Sequence, residues 1–257
     1  MSLFRRGAAS FLPDRDYLPM VMPTAGFDIL WILTKDRGVL RRFGTLSDVL
    51  SSDRELPADA VRRDEVTANA AGTAARSVKA GLSLGIVNTL LAALGGKAGL
   101  DLSAAGVRSV EYTYSDVTAD VVNLARLDGW LAGADLAPGV GRIADMLVAE
   151  RLYLVVATLR AAAVTSRIHG ERGADLTVDL PTVQQLVGGG LAVSGSSART
   201  SELTFRGSVP LVIAAKVAQL KVDDRGFWVH DEPVSDGEIR GLGAGAEYLT
   251  GEEIRLS

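Results

Sequence analysis

Apolar and polar positions alternate most regularly within residues 78–102, VKAGLSLGIVNTLLAALGGKAGLDL. Val78, Ala80, Leu82, Leu84 and Ile86 fall on one face, the period of two that marks a strand with a single apolar side. The alternation gives way to a solidly apolar run at 89–94 and then to Gly95 and Gly96, while Lys79 and Lys97 bracket an interval without charge. Glycine, serine and alanine are frequent there, so the segment repacks at little steric cost. It suits two solvents, water and lipid.

The remaining pattern predicts short elements. Residues 3–12 read as an amphipathic helix ended by Pro13, with Leu3, Phe4, Phe11 and Leu12 apolar and Arg5 and Arg6 exposed. Residues 27–34 form a buried strand, and KDRG at 35–38 turns into a second strand bearing Arg41 and Arg42. TLSDVL at 45–50 is a capped single turn, residues 61–75 an unusually polar strand, and residues 107–117 a strand with Val110, Tyr112 and Tyr114 on one face. Between 118 and 149 helical material is broken by Gly129, Gly133 and Pro138-Gly139, with 143–148 helical.

The apolar run 152–168 would exceed about 50 Å as one strand, more than a globular sheet usually asks for. A bend or a second role is implied. LTVDL at 176–180 is a further strand, Pro181 opens a short helix through Val187, and residues 199–206 form a polar strand with Leu203 and Phe205 on one side. The buried strand at 209–222 ends the series. Strands outnumber helices and lack regular helical crossovers, so the expected fold class is α+β, a twisted, mostly antiparallel central sheet flanked by short helices.

Composition narrows the chemistry. The 257 residues suffice for one sizeable core, and 47% hydrophobic residues rule out wholesale disorder. With no cysteine there are no disulfides, thiolate nucleophiles, thiolate zinc sites or S-acylation, and the two histidines, His169 and His230, supply metal and general-base chemistry poorly. No dinucleotide, Walker or H-E-x-x-H motif appears, so no cofactor is expected. Arg5 and Arg6 precede FLPDRDY, which has no apolar core of a leader, so the chain is expected in the cytoplasm. No uncharged run reaches the roughly 18 apolar residues of a spanning helix, and the acidic balance argues against nucleic acid.

The net charge of −4 is unevenly spread. Residues 223–257 hold nine acids against Arg225, Arg240 and Arg255, net −6, which leaves residues 1–222 at +2. Glycines at 237, 241, 243 and 245 accompany the change, as in a flexible segment. The expected division is a main domain at 1–222 and an acidic tail at 223–257.

One motif points to catalysis. Gly81-Leu82-Ser83-Leu84-Gly85 is a literal G-x-S-x-G, with His230 in triad order and Asp175 or Asp179 as the acid. The residues before Ser83, GTAARSVKA, are not the buried strand a nucleophile elbow requires, and no oxyanion segment lies upstream. A serine hydrolase is therefore the alternative reading, and a non-catalytic binding domain a third.

LRRFGTLSDVL at 40–50 looks like the early strand and turn of gasdermins. LGGKAGLDL at 94–102, ERLYLVVATLRAAAVTSRIHG at 150–170, LTVDLPTVQQLVGGGLAVSGS at 176–196 and GSVPLVIAAKVAQL at 207–220 resemble, in order, stretches of the compact bacterial gasdermins. The likeness spans about residues 3–222 and rests on the order and spacing of the segments, since none of them is diagnostic alone.

The resemblance implies a non-enzymatic pore-forming effector of bacterial antiviral defence. A monomer is held inactive in the cytoplasm by its short tail, a partner protease cuts the tail, and the released protein assembles into a homo-oligomeric ring in the inner membrane and kills the cell. Two regions, about 61–117 and 152–206, would become membrane-spanning β-hairpins. Arg240 and Leu242, in the glycine-bearing loop, are the candidate cleavage positions.

Lys35, Arg37, Arg41 and Arg42, with Arg5 and Arg6, admit two readings, a solvated edge or a patch for anionic phospholipid headgroups. Leu3 and Phe4 are the candidate apolar anchor, Ser2 standing where relatives resemble one another in an acylated cysteine. Phe227, Trp228, Tyr248 and Leu249 either dock the tail on the main domain or complete its core.

Overall fold

The computed structural model describes residues 17–24, 26–36, 39–66, 74–77, 107–139, 141–170, 177–187, 191–231, 248–249 and 253–255. In chain order the first elements are β1 (Leu18–Thr24), β2 (Trp31–Asp36), β3 (Val39–Thr45), α1 (Leu46–Val49), β4 (Leu50–Ser52), a 3-10 turn at Ala58–Ala60, β5 (Val61–Val66) and β6 (Ala74–Ser77). The middle of the chain supplies β7 (Val107–Ser115), β8 (Thr118–Val122), α2 (Leu124–Leu131), β9 (Ala134–Leu136), α3 (Gly141–Val148), β10 (Leu152–Ala161) and β11 (Ala163–Gly170). Then come β12 (Val178–Asp179), α4 (Leu180–Val187), β13 (Ala192–Gly195), β14 (Arg199–Thr200), β15 (Glu202–Arg206), β16 (Leu211–Asp223), β17 (Gly226–His230), β18 (Tyr248–Leu249) and β19 (Glu253–Arg255).

Local chemistry accounts for several boundaries. The Asp48 carboxylate accepts from both the Thr45 backbone N–H and the Thr45 hydroxyl at 2.7 Å, which starts α1 at the position the TLSDVL pattern predicts. Asn123 caps α2 by accepting from the Arg126 N–H. The apolar run expected as one long strand bends at Ala162, where β10 ends and β11 begins. Residues 118–122, expected as the start of helical material, are instead strand β8, paired with both β5 and β10.

Ten strands form one sheet in the order β17, β16, β1, β18, β19, β3, β2, β10, β8, β5. β10 also pairs with β16, so seven strands, β16, β1, β18, β19, β3, β2 and β10, close on themselves. All these seams are antiparallel except that between β1 and β18. A second sheet has five strands in the order β13, β15, β11, β7, β6. The expected mostly antiparallel sheet with few short helices is thus what the described residues adopt.

Besides these, β12 with β14 and β4 with β9 form two-stranded sheets, and two cores follow from the two large sheets. The larger gathers Ile32, Leu33, Leu40, Leu152, Leu154, Val217 and Leu220 from the closed ring with Leu127, Trp130, Leu131, Ile143 and Leu147 from α2 and α3. The smaller gathers Val164, Ile168, Val193, Leu203 and Phe205 from the five-stranded sheet with Val183 of α4 and Leu211 and Ile213 of β16. Leu152–Ala161 is buried along almost its whole length, which explains why it reads as a continuous apolar run rather than as alternation.

Candidate functional site

The C-terminal residues occupy a structural position. β18 lies beside β1, Met20 opposite Leu249, and β19 lies beside β3, with Glu253, Ile254 and Arg255 opposite Arg41, Leu40 and Val39. The two tail strands pair with each other through Tyr248 and Arg255 and through Leu249 and Ile254. Together they fill the gap between β1 and β3 and complete the ring. Without them both strands would present unpaired backbone to solvent.

β2 and β3 carry the described part of the basic cluster. The Arg42 guanidinium lies 3.5 Å from the centroid of the Trp31 ring, and the Lys35 ammonium 5.9 Å from that of Tyr153. At that distance the planar Arg42 guanidinium packs on the Trp31 ring, whereas the Lys35 contact is a longer-range cation–ring attraction. Arg42 is exposed and its neighbour Phe43 is 43% exposed, so a cation and an aromatic ring sit side by side on β3. Arg41 opposes Glu253 of the tail.

The five-stranded sheet is joined to the ten-stranded sheet through three described connections. Asp116 stands between β7 and β8 with φ of 50°, Ala162 separates β10 from β11, and residues 207–210 lead from β15 to β16. The first two connections meet, since Ala162 N–H donates to the Ser115 carbonyl at 2.9 Å. All five strands of this sheet belong to the stretches 61–117 and 152–206.

Beside that joint lie four charged side chains. Arg160 on β10 approaches Asp120 of β8 (Nε to Oδ2, 2.7 Å) and Asp28 before β2 (Nη2 to Oδ1, 2.9 Å). The Nε contact is close but lies off the direction of its N–H, so it is an ion pair rather than a directed hydrogen bond. Arg63 of β5 reaches the same two carboxylates at 3.0 and 3.1 Å. Arg63 and Asp64 form a bulge, falling between the pairs Arg62 with Val121 and Glu65 with Ala119, so that both face Asp120. Asp64, at φ of 55°, gives its N–H to Asp120 Oδ1 at 3.0 Å.

The sequence profile of the Bacterial Gasdermin Family matches residues 20–227. The chain belongs to the bacterial gasdermin family. A gasdermin of a Desulfuromonadales bacterium is 28% identical over 229 residues, covering 89% of this chain and 86% of its own length. The gasdermin of Lysobacter enzymogenes is 27% identical over 213 residues, 82% of this chain and 79% of its own. Among solved structures, a bacterial gasdermin from Bradyrhizobium tropiciagri aligns over 92% of this chain and 90% of its own at 11% identity with a TM-score of 0.47. The Gasdermin A3 membrane pore aligns over 86% of this chain and 89% of its own at 12% identity with a TM-score of 0.37.

The gasdermin match ends at Phe227 on β17, four residues past the expected charge boundary at 223. The charge boundary at 223 coincides with the turn between β16 and β17, and that hairpin runs from Gln219 opposite His230 to Asp223 opposite Gly226. Phe227 is buried in the larger core, whereas Trp228 is half-buried with the Lys221 ammonium 5.9 Å from its ring. Tyr248 and Leu249 form β18. Leu3, Phe4, Arg5, Arg6, Arg37, Arg240 and Leu242 lie outside the described residues, as do Ser83, Asp175 and the whole stretch 78–102 that dominates the hydrophobic pattern.

Of the other hydrolase candidates, His230 packs edge-on against Trp228 at 5.6 Å, and Asp179 accepts from Thr182 at the start of α4. Among the described residues no group of three or more histidine and acidic side chains forms a metal site, and no helix is long and apolar enough to cross a membrane. The charged quartet of Asp28, Arg63, Asp120 and Arg160 escapes pattern reading. Its one signal in the sequence is Arg160, a charge inside the otherwise apolar LYLVVATLRAAAV.

Proposed function

We propose that this protein is a pore-forming, non-enzymatic gasdermin of bacterial antiviral defence, kept inactive by its C-terminal strands. The observation that carries this reading is the position of β18 and β19 between β1 and β3, where a short tail completes the closed ring. Cleavage in the stretch 236–245 would separate these strands from the body. Two or three residues per strand hold poorly without covalent connection, so the cut piece dissociates.

β17 stays with the body, because Phe227 belongs to its core. A cut after Arg240 therefore removes Glu247, Glu252, Glu253 and Arg255, net −2, and leaves a body of −2 rather than +2. Attraction to an anionic leaflet then rests on local cations, Arg42 and Arg41 beside the departing Glu253, rather than on overall charge. The membrane-spanning hairpins come from the five-stranded sheet and its neighbours. β7 with nine residues and β10 with ten match the roughly 9 to 11 residues of a barrel strand. The body assembles as a homo-oligomer in the inner membrane, since strands cross lipid only as part of a closed barrel.

Dye release from anionic liposomes tests the proposal, comparing intact protein with protein cut at a protease site engineered near Arg240. Leakage only after the cut is the expected result. Absence of leakage after the tail has demonstrably dissociated would overturn it.

A further inference from the structure

The quartet at the joint between the two sheets has a connectivity that an ordinary surface ion pair lacks. Asp28 and Asp120 each contact both Arg63 and Arg160. The four residues come from four separate segments, and each tie crosses a long sequence interval, 35 residues from Asp28 to Arg63, 57 from Arg63 to Asp120 and 132 from Asp28 to Arg160. Burial differs among them. Asp120 is 2% exposed and Arg160 15%, while Asp28 is 39% and Arg63 49% exposed. The inner pair therefore sits in the fold and the outer pair faces water.

Position gives the quartet its meaning. Asp120 follows the Asp116 connection by four residues, and Arg160 precedes the Ala162 bend by two, so both inner members stand at the points where strands leave the ten-stranded sheet for the five-stranded one. Arg63 stands on β5, which begins the other stretch, and its bulge aims it at the same carboxylates. Asp28 belongs to the ring side, where its Oδ1 also accepts from the Ile29 N–H at 2.8 Å. None of β5, β8 and β10 can leave this joint without separating two charge contacts.

We propose that Asp28, Arg63, Asp120 and Arg160 form a latch that ties β5 and β10, one from each strand-converting stretch, to β8 and to the segment before β2, and sets how readily the two stretches are released together once the tail is gone. This rests on the tail-gated reading given above. The latch acts before lipid is met, because all its contacts lie within the uncleaved chain. Sharing of two carboxylates by two arginines makes release concerted. Loss of Arg63 loosens Asp120, and with it the contact that restrains β10.

Arg63→Gln is the direct variant, because it leaves Arg160 paired with both carboxylates and buries no unpaired charge. Arg63→Lys is the control that keeps the charge. In uncleaved protein, amide hydrogen exchange in 61–66, 118–122 and 152–161 is expected to rise about three- to tenfold in Arg63→Gln, as for loss of a half-exposed ion pair, with β3 and β17 unchanged. The lysine variant is expected to fall between it and the parent. After cleavage, the onset of liposome leakage should shorten by a similar factor.

Exchange that rises equally throughout the chain, or only within 61–66, overturns the latch, since the first means general destabilisation and the second an isolated strand. Localised exchange in all three segments with no leakage from any cleaved form, parent included, upholds the latch and overturns the pore reading. Leakage from the parent with unchanged exchange and onset in Arg63→Gln does the reverse.

Discussion

Arg160 and Asp120 lie diagonally across the β8 and β10 pair, Asp120 opposite Thr158 and Arg160 opposite Thr118, with 2.7 Å between Nε and Oδ2. Removing the charge of one member leaves the other buried with fewer partners, a change that costs more than the pair itself contributes. Asp28 still contacts Arg160, which softens the loss. Asp120→Asn is expected to lower unfolding free energy by about 2 to 3 kcal/mol, read from the urea midpoint.

Thr158 and Ser166 show the opposite sign. Both are fully buried on β10 and β11, and their hydroxyls have no hydrogen-bond partner among the described residues. Thr158→Val keeps the shape and removes the orphaned group, so it should raise stability by about 1 kcal/mol. The same variant should slow leakage after the tail is cut, which a stopped-flow dye assay would register.

Gly226 turns β16 into β17 at φ of 108°, and a Cβ there would lie 2.9 Å from the Ala132 carbonyl oxygen. Alanine meets both the left-handed backbone and that contact. Gly226→Ala should destabilise by about 2 kcal/mol and lower the melting temperature by several degrees. Because Phe227 lies next to it in the core, truncation before Gly226 should aggregate, whereas a chain ending at residue 247 should remain folded and release dye without protease.

The Asp48 carboxyl is held below its usual range, first by the Thr45 backbone N–H and then by the Thr45 hydroxyl. A depressed folded value contributes stability above the unfolded value of about 4 that is lost as pH falls through the folded one. The parent should therefore lose stability more steeply than Asp48→Asn below about pH 4. Paired melting curves between neutral pH and acid would check this, and equal slopes would refute it.

Much of the ring was legible. β16 and β10 announce themselves as apolar runs, and the excess length of 152–168 foretells the bend that Ala162 provides. α1 was readable from Thr45 and Asp48 because capping is local chemistry. β8 was not, since TADVV carries a buried aspartate whose partners, Arg63 and Arg160, are 57 and 40 residues away. The tail strands were equally hidden, because two and three residues show no period. Phe227 was ambiguous for a different reason, as an aromatic in an acidic segment reads alike whether it docks or belongs to the core.

A ring whose last two strands come from the end of the chain is finished only when that end arrives. The ring is complete in one copy and leaves β1 and β3 no open edge, so on the proposed reading raising the concentration of intact protein should not by itself start assembly through those strands. Under the proposed tail gating, the threshold for self-association would move from how much protein the cell makes to whether one peptide bond has been broken.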